Sequence, residues 1–119
     1  MEESTSKPVV ATVPAPSGEP ARVCPEFHEA VELVGKRWTG AILWALNERP
    51  HYFAELTAAV PGLSDKLLSQ RLRELEEEGI VERSVHPGSP ARVSYALTDK
   101  GSDLRPAIAE LRDWARRWK

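Results

Sequence analysis

Apolar and polar positions along the chain fall into stretches of different period. Phe27, Ala30, Val31 and Val34 recur at helical spacing behind Pro25, which suits a first helical position. Residues 25–34 are therefore predicted as a helix closing at Gly35. Thr39 is placed to cap a second helix carrying Ala41, Ile42, Leu43, Trp44, Ala45 and Leu46, apolar nearly all round, as a central buried helix is. Pro50 stops it. Phe53, Leu56 and Val60 predict a short third helix, ended by Pro61-Gly62. Ser64 then stands as N-cap before DKLLSQRLRELEEEG, a strong helix closed by Gly79. Beyond it Ile80, Val81 and Val85 alternate with polar residues, a turn over His86–Pro90 follows, and VSYALT resumes the period of two, which predicts a hairpin. Thr98 or Asp99 starts a last helix, with Pro106 tolerated in its first two turns and Leu104, Ile108, Leu111, Ala115 and Trp118 as its apolar stripe.

The fold class this predicts is mainly α with a small β-hairpin. The third and fourth helices, joined by Pro61-Gly62-Leu63-Ser64, have the proportions of a helix-turn-helix, and a hairpin directly after them is placed as a wing. On the fourth helix Leu68, Leu72 and Leu75 share one face. Opposite them lie Lys66, Gln70 and Arg73, with Ser69 beside. These side chains donate to phosphates and base edges, and Arg and Gln can each contact a base through two hydrogen bonds. Glu74, Glu76, Glu77 and Glu78 on the second half would repel phosphate, so only the first two turns are expected in a DNA groove. An ordinary solvated face is the alternative. Arg92, at the tip of the wing among Ser89, Pro90 and Ala91, is expected to enter a minor groove or pin a phosphate, or else to be an uninvolved surface residue. Lys36-Arg37 is either a backbone clamp or a charge pair flanking a helix.

Residues 1–22 carry four of the ten prolines, Pro8, Pro14, Pro16 and Pro20, and no aromatic residue. Such a segment buries too little to offset its ordering entropy and reads as a disordered N-terminal arm before one domain over 23–119. With 16 Lys+Arg against 18 Asp+Glu in 119 residues, the chain lacks the bulk basicity for indiscriminate nucleic-acid binding and needs a locally positive surface instead. No apolar run approaches the about 20 residues of a membrane span, and no secretory signal is evident, which leads to the expectation of a cytoplasmic protein without membrane contact.

Leu104, Ile108, Leu111 and Trp118, with Trp114 at the edge, exceed what a small monomer can cover and point to a dimer interface, unless the helix packs back on its own domain. Cys24, the single cysteine, precedes Pro25 at the head of the first helix, where a helix N-terminus favours a thiolate. Glu26 and Glu29 oppose that ionisation, so Cys24 is either a redox sensor or a passive residue. Cys24, His28 and Glu32 line one helical stripe, which reads as a wet face rather than a metal site, and no metal or cofactor is expected. His51 and His86 stand in loops without visible partners. Trp38, Trp44, Phe53 and Trp114 are read as core rather than a ligand pocket. There is no phosphate loop and no nucleophile motif, and Cys24–His28 lacks an orienting third group, so no enzyme is expected.

The runs VELVGKRWTGAILWAL, YFAELTAAVPGLSDKLLSQRLRELEEEGIVER and PARVSYALTDKG, in this order, resemble the HxlR-type winged-helix transcription regulators of bacteria. The resemblance covers residues 24–118. It implies a homodimer built through the first and last helices, a two-fold related operator in double-stranded DNA, and repression or activation of nearby genes. It also implies a recognition helix at Ser64–Gly79, a wing carrying Arg92, and in some members sensing of oxidants or electrophiles through a cysteine near Cys24. The expected function is a sequence-specific DNA-binding regulator with Lys66, Ser69, Gln70 and Arg73 on bases and Arg92, Ser64 or Lys36-Arg37 on the backbone. A winged helix for protein–protein interaction, without a DNA target, is the alternative.

Overall fold

The computed structural model describes residues 13–119. The elements run α1 (Pro25–Val34), α2 (Thr39–Glu48), β1 (His51–Tyr52), α3 (Phe53–Ala59), α4 (Asp65–Glu77), β2 (Val81–His86), β3 (Arg92–Leu97), α5 (Asp99–Ser102) and α6 (Arg105–Trp118). Of the expected N-terminal arm, residues 1–12 lie outside the described residues; residues 13–22 are exposed and contain neither helix nor strand.

One core gathers Ile42, Leu43 and Leu46 of α2, Leu56 of α3, and Leu68, Leu72 and Leu75 of α4, closed by Ile80 after α4 and by Val81 and Tyr95 of the sheet. The three leucines of α4 are the predicted inner face, at most 1% exposed, and burying each contributes about 1.5–3 kcal/mol. The α2 helix is less enclosed than expected, because Ala41 and Trp44 face outward. Its N-cap is Trp38, not Thr39. Trp38 takes a left-handed backbone at φ 77°, an unfavourable conformation for a large side chain, and Thr39 becomes the first helical residue and is buried.

The hairpin forms in the register Val81↔Leu97 to His86↔Arg92, and it gains an edge the hydrophobic pattern did not reveal. His51 and Tyr52 pair with Tyr95 and Ser94, giving a three-stranded antiparallel sheet in the order β1-β3-β2. His51 and His86 are therefore strand residues with partners. His51 Nδ1 lies 2.8 Å from the Arg49 carbonyl and His86 Nε2 2.7 Å from Ser94 Oγ.

The expected last helix is broken in two. Pro106 has no N–H to offer the Ser102 carbonyl and its ring would collide with it, so α5 ends at Ser102 and α6 starts at Arg105, with Leu104 as its N-cap. The short α5 instead anchors the exit of α4. Gly79 ends α4 with φ at +77°, a conformation only glycine adopts without cost. Thr98 then donates from its hydroxyl to the Gly79 and Ile80 carbonyls and from its N–H to the Ile80 carbonyl. Gly101 packs so closely on the Ile80 carbonyl that any Cβ there would overlap it. The TDKG run is thus a structural clasp between α4 and the C-terminal helices.

Candidate nucleic-acid interface

The α3–turn–α4 unit is set by hydrogen bonds at the head of α4. Ser64 is its N-cap, with Oγ accepting from the Leu67 N–H at 3.1 Å. Thr57 of α3 donates to Asp65 Oδ1 at 3.3 Å and so ties the two helices across the turn. At the head of α3, Glu55 accepts from the Tyr52 N–H at 2.9 Å and pairs with Arg49 at 3.0 Å. The Arg49 guanidinium and the Tyr52 N–H hold its carboxyl at about 2, well below the ordinary 4.5.

Lys66, Gln70 and Arg73 stand exposed along one face of α4, and Ser69, half-buried, turns toward the wing. Arg71 does not join that face. Its Nε donates to the Arg37 carbonyl at 3.0 Å and its Nη1 reaches Glu74 at 3.3 Å. Lys36 Nζ meets the same carboxylate at 3.3 Å. Burial works against ionisation of Glu74, but Lys36, Arg71 and Gln70 together outweigh it and hold its carboxyl below the ordinary range. Two of the expected backbone-clamping cations are thus occupied within the protein: Lys36 on Glu74, and Arg37 over the Trp38 ring, 4.9 Å from its centroid. The acidic end of α4 is partly neutralised by the same contacts, leaving Glu77 and Glu78 exposed.

Arg92 is the first residue of β3, paired with His86, rather than a member of the turn. Its guanidinium lies 3.5 Å from the centroid of the Tyr52 ring. Between wing and α4 opens a cavity of about 410 Å³ whose lining includes Tyr52, Ser69, Arg92 and Tyr95. Ser69 and Arg92, distant in sequence, are brought together there. Ser64, Lys66, Gln70 and Arg73 stay along α4, and Lys36-Arg37 sits behind its middle. Sequence reasoning missed Tyr52 and Arg71. A two-residue strand carries no periodic signal, and Arg71 resembles any other charge on a helix until its partner's backbone is seen.

A second surface lies on the far side. Phe27, Val31, Val34, Leu43, Trp44, Leu104, Ile108 and Leu111 line an apolar groove of about 540 Å³ between α1, α2 and α6. Leu104 and Ile108 pack partly on the core, whereas Leu111, Trp114 and Trp118 remain 64%, 50% and 72% exposed. Cys24 is exposed at the N-cap of α1, its thiol 3.4 Å from Glu26 Oε1. Among the described residues no three His, Cys, Asp or Glu side chains cluster as metal ligands. The four aromatics do not share a cavity, since Trp44 lines the apolar groove and Phe53 the cavity at the wing. Among the described residues no helix is long and apolar enough to cross a membrane.

Comparison with known proteins agrees with this arrangement. YvaP of Bacillus subtilis (strain 168), an uncharacterized HTH-type transcriptional regulator, is 45% identical over 98 residues, spanning 82% of this chain and 91% of the relative. The HTH-type transcriptional regulator YodB of the same organism is 44% identical over 93 residues, spanning 78% of this chain and 83% of YodB. The reduced form of YodB matches with a TM-score of 0.72 at 42% identity, covering 82% of this chain and 95% of that one. The redox regulator HypR in its reduced form matches at 0.74 and 28% identity, covering 77% and 91%. Residues 33–119 match the HxlR-like helix-turn-helix model, and with winged-helix geometry and relatives of this similarity the chain belongs to the HxlR-like helix-turn-helix family of transcription regulators.

Proposed function

We propose that this protein is a cytoplasmic, homodimeric regulator that reads a two-fold related DNA site with the N-terminal part of α4, from its cap to Arg73. The observation that carries the reading is the exposed, acid-free row of Lys66, Gln70 and Arg73, opposite the buried leucines on a helix capped by Ser64. Gln70 and Arg73 read base edges, Lys66 and Ser64 position the backbone, and Ser69 with Arg92 meets it from the wing side. Lys36 engages α4 through Glu74 and the Arg37 guanidinium stacks on Trp38, so both are read as acting within the protein rather than on DNA. The α1–α6 groove with Leu104, Ile108, Leu111, Trp114 and Trp118 is the surface that a second copy covers, and the pair sets its two α4 helices about one DNA turn, ~34–36 Å, apart. The description of relatives as HTH-type transcriptional regulators supports this reading over a winged helix devoted to protein contact alone.

Selection of genomic fragments by the purified chain, followed by fluorescence anisotropy with the enriched duplex and a shuffled one, tests the reading. Preference for the enriched duplex by about 10³ or more, with a steep salt dependence, is expected. Gln70→Ala and Arg73→Ala are each expected to cost about 1–3 kcal/mol and to relax base preference at one position. Equal, weak binding to every fragment overturns it.

Cys24 is proposed as a thiol through which oxidants or electrophiles act, supported by its exposure at the head of α1 and by the quinone-bound form known for YodB. Treatment with a quinone should change DNA affinity of the native chain and leave Cys24→Ser unaffected; an equal response of both refutes it.

A further inference from the structure

The stack at the turn end of the wing has a role that neither the expected base contacts nor the dimer surface accounts for. The sheet register sets Tyr52 opposite Ser94, and Arg92 lies two residues along β3, hence on the same face. The Tyr52 ring is held from two sides. Arg92 lies over its face at 3.5 Å, and the His86 ring meets it edge-on at 5.5 Å, itself fixed by the hydrogen bond to Ser94. Stacking engages the flat face of a guanidinium and leaves the N–H groups in its plane free to donate. Among the described residues Arg92 pairs with no carboxylate. The cavity that it borders also takes in the Ser69 hydroxyl from α4, and no acidic residue contributes to its lining, in a chain of net charge −2.

We propose that Tyr52 is a positioning residue, whose ring holds the Arg92 guanidinium ready for a DNA backbone phosphate seated between the wing and Ser69. The inference rests on the DNA-binding reading above and deepens it. An unsupported arginine at the end of a hairpin loses rotamer freedom when it binds phosphate; a stacked one has already lost it, so Tyr52 acts through Arg92 and not by touching DNA.

Because a phosphate contact is indifferent to sequence, a random-sequence duplex at low salt serves as probe, titrated with the full chain by anisotropy. Tyr52→Leu should weaken binding about two- to fivefold, the worth of an exposed cation–π contact, while Tyr52→Phe, which keeps the ring, should bind as the native chain does. Arg92→Ala should lower the salt slope by about 1, and Tyr52→Leu added to it should have no further effect. An equal loss from Tyr52→Leu in both backgrounds, or a loss from Tyr52→Phe as large as from Tyr52→Leu, overturns the positioning role and leaves the DNA reading intact. If the native chain binds neither this duplex nor any genomic fragment, the DNA reading falls and this inference with it. Should Tyr52→Leu fail to fold, the Arg92 side-chain methylene protons of the native chain decide by NMR. An upfield ring-current displacement that Tyr52→Phe preserves supports the stack, and its absence removes the basis of the inference.

Discussion

The α3–α4 half of the domain and the α1–α6 half use the same kinds of apolar residue and leave them in different states. On α4 the stripe of Leu68, Leu72 and Leu75 is buried against α2 and the sheet, and the head of the helix is capped. On α1 and α6 no residue is fully buried, and Phe27, Leu111, Trp114 and Trp118 are half exposed or more. The contrast separates what one chain can bury by itself from what requires a second surface. The α4 half is complete as a monomer and offers polar groups outward; the α1–α6 half offers an apolar groove, as surfaces made for association do.

Breaking the complete half should have the largest effect. Leu72→Ala removes a fully buried side chain and is expected to cost about 2–5 kcal/mol in urea unfolding; a loss confined to a few tenths would mean that the core relaxes around it. The unfinished half should respond to assembly instead. Trp118→Glu is expected to cost about 2 kcal/mol or more of dimer affinity, read by sedimentation equilibrium, and to abolish the concentration dependence of Tm. If the variant sediments as the native chain does, the exposed end of α6 lies outside the interface. Ser64→Ala sharpens the comparison on the DNA side. Loss of the cap to Leu67 should lower stability by about 1 kcal/mol and weaken DNA binding without changing the dimer. The smallest expected effect is in acid. Glu55, held at about 2 against an ordinary 4.5 by Arg49 and the Tyr52 N–H, stabilises the fold above the ordinary value. That contribution is lost as pH falls from about 4.5 towards 2. Glu55→Gln should unfold with a flatter pH dependence in that window, and an unchanged acid profile would remove Glu55 from the account.

What the amino-acid pattern disclosed follows the range of the interactions involved. Leucines at 68, 72 and 75 and the alternation of the hairpin are local periods, and they placed α4, β2 and β3 within a residue or two. Strand β1 was hidden because its two residues are strand only by pairing with Tyr95 and Ser94, some forty positions later. Pro106 was visible, but whether it bends or breaks a helix depends on the carbonyl it meets. The roles of Thr98 and Gly101 needed the Ile80 carbonyl, whose place at the end of α4 no spacing rule encodes. In the candidate interface the exposed row Lys66–Gln70–Arg73 was legible from helical geometry alone. The diversion of Lys36 to Glu74 was not, since it depends on how α4 lies against the loop after α1, nor was the stacking of Arg37 on Trp38, which depends on the left-handed backbone of Trp38.

That last packing has a mechanical meaning. Arg71 grips the Arg37 carbonyl while Lys36 grips Glu74, so the loop leaving α1 and the middle of α4 are clamped at two points. A swing of α1 relative to its neighbours therefore carries torque into α4. Since α1 borders the groove proposed for the second copy, a shift of one subunit against the other would, on that reading, reach the Lys66–Gln70–Arg73 row through these two contacts, like a key turned on its shaft.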